Sequence, residues 1–305
     1  MLPYLLTPDD TTDLAERLRR DHDALLAKLH EAGALLFRGF DVNDPSGFRD
    51  VARSYTPDLL DYTYRSTPRK QAETGVYTST EYPPDEQIPM HNENSYSRTW
   101  PAKLWFYCQQ AAAAGGATPL ADSRKVYRRV DPEIRDQFAR RGVRYVRNYG
   151  AGMDLPWQEV FQTEDRANVE KFCREADIDF RWDGDLLRTS QVCPAVATHP
   201  ATGEHVWFNQ AHLFHPSALD EETREALTLL FGQDGLPRNA FFGDGGDIPV
   251  EHLDEVRAAY DAEMVDVAWC DGDVLLVDNL LAAHGRRSYT PPRKVLVAMA
   301  EATTS

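Results

Sequence analysis

The sequence predicts a mainly β chain with helical insertions, a β-sandwich or jelly roll folded as one domain over residues 1–305, on three observations. Apolar strand-like runs stand towards both ends: "ALLFRGF" at 34–40, "AKLWFYCQQA" at 102–111 and "RKVLVAMA" at 293–300. Segments of helical period lie between them, concentrated within about 125–262, and they do not alternate with strands as a doubly wound sheet requires. No internal repeat or linker composition marks a boundary.

Each element follows from local chemistry. Thr7-Pro8-Asp9-Asp10 offers a cap, a proline and early acids, and Leu14, Leu18, Leu25 and Leu29 recur at helical spacing, which predicts a first helix running to about His30. Gly33 ends it, and 34–40 reads as a buried strand. A short helix is expected at 46–55, then strands and long loops from Thr56 to Pro89, where Tyr, Thr, Pro and charge show no period. The best core strand is 102–111. Helices are expected at 131–141, opened by Asp131-Pro132, and at 164–176, capped by Thr163. Strands resume in "LLRTSQVCPAVATHP" and "EHVWFNQAHLF", helices follow at 220–232 and 250–261, and "GDVLLVDNLLAAH" and "RKVLVAMA" close the chain as two strands.

Charge and composition exclude several functions. Lys and Arg number 33 against 49 Asp and Glu, and the net charge of −16 repels phosphate backbones and anionic membranes, so no nucleic acid or membrane partner is expected. No apolar run approaches the roughly 20 residues of a bilayer span, and the first residues lack a basic, cleavable leader, so a cytoplasmic location is expected. Cys108, Cys173, Cys193 and Cys270 show no paired spacing and read as free, mostly buried thiols.

The residues that carry chemistry begin in "PMHNENSYSRTW" (89–100). On an extended chain, side chains two apart share a face, so His91 and Glu93 can converge on one ion. The best third ligand is His284, at the end of the apolar run "DVLLVDNLLAAH". "WFNQAHLFH" adds His212 and His215 at i,i+3, but their aromatic flanks favour a structural role.

Together these pieces resemble the taurine dioxygenase-like branch of the iron(II)- and 2-oxoglutarate-dependent oxygenases. That pattern is His-x-Asp/Glu, a later Thr, a distant His and an Arg near ten residues beyond it. Here stand His91-Asn92-Glu93, Thr118 in "GGATPLADS", and His284 and Arg293 in "DNLLAAHGRRSYTPPRK", with Asp278-Asn279 ahead of the distal histidine. The resemblance spans nearly the whole chain, and "HNENSY", "TPLADSRKVY" and "HGRRSYTPPRKVLVAM" look like the branch associated with nonribosomal-peptide and amino-acid natural products.

The resemblance implies a double-stranded β-helix, iron(II) held by His91, Glu93 and His284, and 2-oxoglutarate and O2 as cosubstrates. Two imidazoles and a carboxylate bind such a metal on one face and leave the other open. It implies that Arg293, with Thr118, holds 2-oxoglutarate, since a guanidinium answers a carboxylate with two parallel hydrogen bonds. Lys294 is the alternative if the register slips by one. Arg286 and Arg287 stand too near His284 for that role and read as surface charges or groups behind the site. Halogenating relatives replace the carboxylate, and this chain keeps Glu93, so hydroxylation is favoured over halogenation.

For the substrate, the resemblance places Gln87, Asn94, Phe208 and Asn209 at the pocket, and Phe208 reads equally as a core aromatic. Relatives that bind sulfonates carry a second arginine where this chain has Val297, so an anionic substrate group needs another cation: Arg69, Arg98 or Arg188. The expected activity is hydroxylation of an unactivated C–H of an amino acid, free or tethered to a carrier protein. Desaturation, epimerisation or cyclisation would use the same oxidant. Two other classes share the ligand set: a zinc hydrolase with water in its open position, and a non-catalytic jelly-roll binding protein.

Overall fold

The computed structural model describes residues 1–61, 64, 69–79, 82–150 and 154–304. The expected loop-and-strand stretch from Thr56 to Pro89 therefore lies partly outside the described residues, at 62, 63, 65–68, 80 and 81.

Alternation along the strands builds the central layers. An eight-stranded sheet, here the major sheet, runs in the order Tyr4–Leu6, Ala34–Phe37, Val274–Asp278, Thr99–Gln110, Lys294–Thr304, Val76–Thr78, Gln71–Glu73, with Leu59–Leu60 also paired to Lys294–Thr304. Leu104, Phe106, Cys108, Leu275, Val277, Val295 and Val297 point to one face. The intervening Trp105, Tyr107, Val274, Leu276 and Leu296 point to the other. The second face packs on Leu14, Leu18, Leu25, Leu29 and Phe48 of the N-terminal helices. The first face packs on the minor sheet, whose strands run Met264–Val267, Thr118–Asp122, Ala282–Arg286, Ile88–His91, through Leu120 and Ala282. Two sheets face to face make the jelly roll that the sequence predicts.

An insertion leaves and re-enters this frame through neighbouring strands, since Thr118–Asp122 and Met264–Val267 pair antiparallel on either side of it. It holds the expected helices Pro132–Arg141, Arg166–Glu175, Glu221–Phe231 and Val250–Glu263. It also holds a four-stranded sheet, Asp179–Asp183, Leu186–Cys193, Val143–Tyr149, Arg238–Phe242, of which only Leu186–Cys193 is foreseen from the sequence. Its apolar cluster reaches Met90, Ala121 and Ala283 on the outer face of the minor sheet.

Three local expectations are corrected. The first helix starts not at Thr7 but at Leu14, where the Asp13 side chain accepts from the Glu16 N–H, and it breaks at Asp21 into Leu14–Arg20 and His22–Ala32. Upstream, Asp9 and Thr11 side chains take the Asp10 and Asp13 N–H groups, which competes with helix, and Tyr4–Leu6 forms an edge strand. The cap of Arg166–Glu175 is Asp165 rather than Thr163, and Thr163 accepts from the Asp165 N–H. "GDVLLVDNLLAAH" is two strands in different sheets, because Asp278 Oδ1 accepts from the Leu280 and Leu281 N–H groups and turns the chain from the major to the minor sheet.

Candidate active site

The crossing at Asp278–Leu281 aims His284 into the interior. In the minor sheet His284 stands directly opposite His91, with ring centroids 4.4 Å apart. Glu93 follows the end of its strand by two residues. The ligand atoms of His91, Glu93 and His284 all lie within 4.8 Å of one another.

The chain spends several buried polar groups to hold this geometry. Asn279 accepts from the Glu93 N–H through Oδ1 and donates from Nδ2 to the carbonyls of Glu93 and Pro101, at 2.8, 2.9 and 2.8 Å. Asn92 donates to the Asn279 carbonyl, and Gln210 donates to the Asn92 carbonyl at 2.8 Å. His212 Nε2 lies 3.0 Å from the Met90 carbonyl, and burial pushes that imidazole down to about 3, so it stays neutral. The structural reading of His212 thus agrees with its contacts. His215 accepts the Ser217 N–H and caps the short turn that follows. Sequence reasoning did not assign Asn92, Asn279 and Gln210. For Asn279 the signal was its place with Asp278 inside the apolar run "LLVDNLLAA", where a polar side chain must find partners when buried.

The donor set suits a divalent ion. The Nδ1 of His91 is 2.8 Å from the Pro89 carbonyl, which only accepts, so the proton sits there and Nε2 is the free base. His284 Nδ1 is buried with no hydrogen-bond partner among the described residues. Burial lowers both imidazoles below their usual range, and His284 well below it. Neutral imidazoles beside a buried carboxylate form a site ready for metal without first shedding protons.

His91, His284, Thr118 and Arg293 line one pocket. Thr118 Oγ1 accepts from the Trp269 indole at 3.0 Å, which leaves its hydrogen free to donate. Arg293 donates from Nε to the Gly116 carbonyl at 3.1 Å. A Cβ at Gly116, where φ is +72°, would meet Arg293 Cδ at 3.0 Å, so this glycine makes the arginine's seat. Burial and the like charge of Arg286 pull Arg293 down to about 10, still cationic at neutral pH, and no carboxylate pairs with it among the described residues. Lys294 is exposed, so the register favours Arg293. Arg286 is no surface charge: 5% exposed, it donates to the carbonyls of Tyr82, Pro83 and Glu86. Arg287 pairs with Asp266 at 2.9 Å.

The substrate-side expectations need correction. Phe208 is buried at 5.0 Å from the Trp100 ring, in an apolar cluster with Leu280 and Leu281, and is not among the residues that line the pocket of the two histidines. Asn209 spends its amide on the Ala195 carbonyl and the Ala211 N–H, so it fixes a turn. Gln87 is exposed and accepts from Arg287 at 3.2 Å, outside the pocket of the two histidines. Asn94 does sit beside Glu93, in a left-handed conformation with φ of 57°, and accepts from the Tyr96 hydroxyl at 3.1 Å. Of the three candidate cations, Arg98 pairs with Asp177 and Arg188 donates to the Asp234 carbonyl, both elsewhere. Arg69 alone lines the pocket, and it donates to Glu93 itself.

Against known proteins, residues 4–299 match the taurine catabolism dioxygenase TauD, TfdA family. The chain is 45% identical over 272 residues to the dapdiamide synthesis protein DdaC of Enterobacter agglomerans, covering 89% of this chain and 83% of that one. It is 34% identical over 284 residues to a clavaminate synthase-like protein of Arabidopsis thaliana, covering 89% and 82%. Among solved structures, PvcB of Pseudomonas aeruginosa shares the fold with a TM-score of 0.57 at 16% identity, over 98% of this chain and 86% of that one.

Proposed function

The chain belongs to the taurine catabolism dioxygenase TauD, TfdA family and is an iron(II)- and 2-oxoglutarate-dependent oxygenase, and from that premise we propose that it hydroxylates an unactivated C–H of an amino acid in a specialised-metabolite pathway. The substrate is a small molecule, free or carried on a protein, and the setting is the cytoplasm. The observation that carries the reading is the meeting of His91, Glu93 and His284, with both histidines lining the pocket that also presents Thr118 and Arg293.

His91, Glu93 and His284 are the residues that would hold iron(II). When bound with 2-oxoglutarate and O2, the metal supplies an oxidant for C–H bonds: one oxygen atom enters the product, the other enters succinate, and carbon dioxide leaves. The protein's own work is placement. Arg293 offers a desolvated guanidinium to the distant carboxylate of 2-oxoglutarate, and the Thr118 hydroxyl donates beside it. The Phe106 ring, 5.2 Å from that of His284, gives the pocket an apolar wall beside that ligand. The amino-acid reading draws on the 45% identical relative, a dapdiamide synthesis protein, and on the natural-product motifs "HNENSY" and "TPLADSRKVY".

A screen of iron-dependent succinate release over free amino acids and aminoacylated carrier proteins, read with the mass of the product, tests this. A gain of one oxygen atom on an amino acid is the expected result. Loss of two hydrogens would reassign the outcome to desaturation, and metal-dependent hydrolysis without 2-oxoglutarate would favour a zinc hydrolase.

A further inference from the structure

Arg69 Nη2 lies 2.8 Å from Glu93 Oε2, and the two side chains are 5% and 4% exposed. A buried charge-assisted hydrogen bond of this kind holds the acceptor oxygen firmly, because leaving it strands both charges in a poorly solvated interior. The same carboxylate belongs to the cluster with His91 and His284. A carboxylate can give a metal one oxygen or two, and here the difference is large. With one oxygen, two imidazoles and a carboxylate leave three of six positions open. With two oxygens only two remain, and the chelating cosubstrate takes both.

We propose that Arg69 is a positioning residue that makes Glu93 a one-oxygen ligand, by keeping Oε2 for itself and so preserving the position that dioxygen needs. The proposal rests on the reading that His91, Glu93 and His284 hold iron(II). Two features of the site support it. The Glu93 N–H and carbonyl are both held by Asn279, so the backbone that carries the carboxylate is fixed at the site. Arg69 also lines the pocket beside the two histidines, where its charge opposes any further approach of a metal ion to Oε2.

The test uses the full chain, anaerobic iron(II), 2-oxoglutarate, and nitric oxide as a stand-in for dioxygen. In Arg69→Met, iron(II) binding should be equal to or tighter than in the wild type and 2-oxoglutarate affinity should stay within about threefold, while nitric oxide affinity of the loaded protein falls by about tenfold or more. Arg69→Lys, which keeps one donor, should recover most of that loss. Infrared difference spectra of the wild type on adding iron(II) need no variant: the wide carboxylate splitting of one-oxygen ligation is expected, assigned by its loss in Glu93→Ala. A narrow two-oxygen splitting overturns the proposal. So does unchanged nitric oxide affinity in Arg69→Met, and so does a tenfold loss of iron(II), which would make Arg69 a brace for Glu93. If the wild type itself binds no iron(II), the underlying functional reading fails instead.

Discussion

Two groups of two histidines and one carboxylate bring their ligand atoms within 4.8 Å of one another among the described residues: His91, Glu93, His284 and His30, His199, Asp278. By composition they are the same site. Their hydrogen bonds make them opposites. In the second group His199 Nδ1 accepts the Thr202 N–H, so Nε2 carries the proton and donates to Asp278 Oδ2 at 3.1 Å. Asp278 Oδ1 accepts from Leu280 and Leu281. A metal would have to break a tautomer the backbone has already chosen. In the first group the backbone does the reverse, since Pro89 takes the proton side of His91 and leaves Nε2 bare. The second group is thus the hinge pin of the sheet crossing and the first is the site that the crossing builds. Donor type nominates a metal site, and the partners of the donors' other atoms decide it.

Exchanging one histidine in each group breaks the comparison most sharply. His284→Ala should weaken iron(II) binding by about a hundredfold or more, while His199→Ala should leave it within about threefold and instead cost about 1–3 kcal/mol of stability through the stranded Asp278. Anaerobic metal titration and urea unfolding of both variants check this. At the cosubstrate end, Arg293→Ala should raise the 2-oxoglutarate concentration needed for half-maximal succinate release by roughly thirtyfold or more, and Lys294→Ala should change it little. The reverse pattern would move the register by one residue.

The link between the groups is Asn279, next to Asp278 and clamped on Glu93. Asn279→Ala should destabilise the protein by about 2–4 kcal/mol and loosen iron(II) by about tenfold, an effect on both groups at once. The smallest expected effect concerns a third histidine, His212, held neutral by burial at about 3. Below the unfolded value of 6.5 the unfolded chain gains a proton that the folded one refuses, so its contribution turns against folding as pH falls from about 6.5 towards 3. Between pH 6.5 and 5 that is about 2 kcal/mol at most from this group. Urea midpoints of the metal-free wild type at those two pH values, against His212→Gln, should show the flatter profile in the variant.

Much of this was legible in the residues. The major-sheet strands are written in alternation, as in "AKLWFYC" and "VLLV", where neighbouring side chains serve two different cores. The helices Pro132–Arg141 and Glu221–Phe231 follow period and caps, and Val250–Glu263 follows period alone. What misled was side-chain competition for backbone at Asp9 to Asp13, and polar residues whose surroundings no motif states. Phe208 and Asn209 look alike whether they face a ligand or a neighbouring strand. Only packing separates those cases.

From its order of residues alone, the chain nominated the side chains proposed to carry the chemistry: two imidazoles, a carboxylate, a hydroxyl and a guanidinium, each on or near a strand end. Tertiary structure decided which polar groups brace that set and which join it, giving Arg69 to Glu93, Asn279 to the Glu93 peptide and His199 to Asp278. Burial follows from local period, because it depends on which face a side chain occupies. Pairing among buried polar groups depends on atoms nearly two hundred residues apart along the chain, and no local pattern records it.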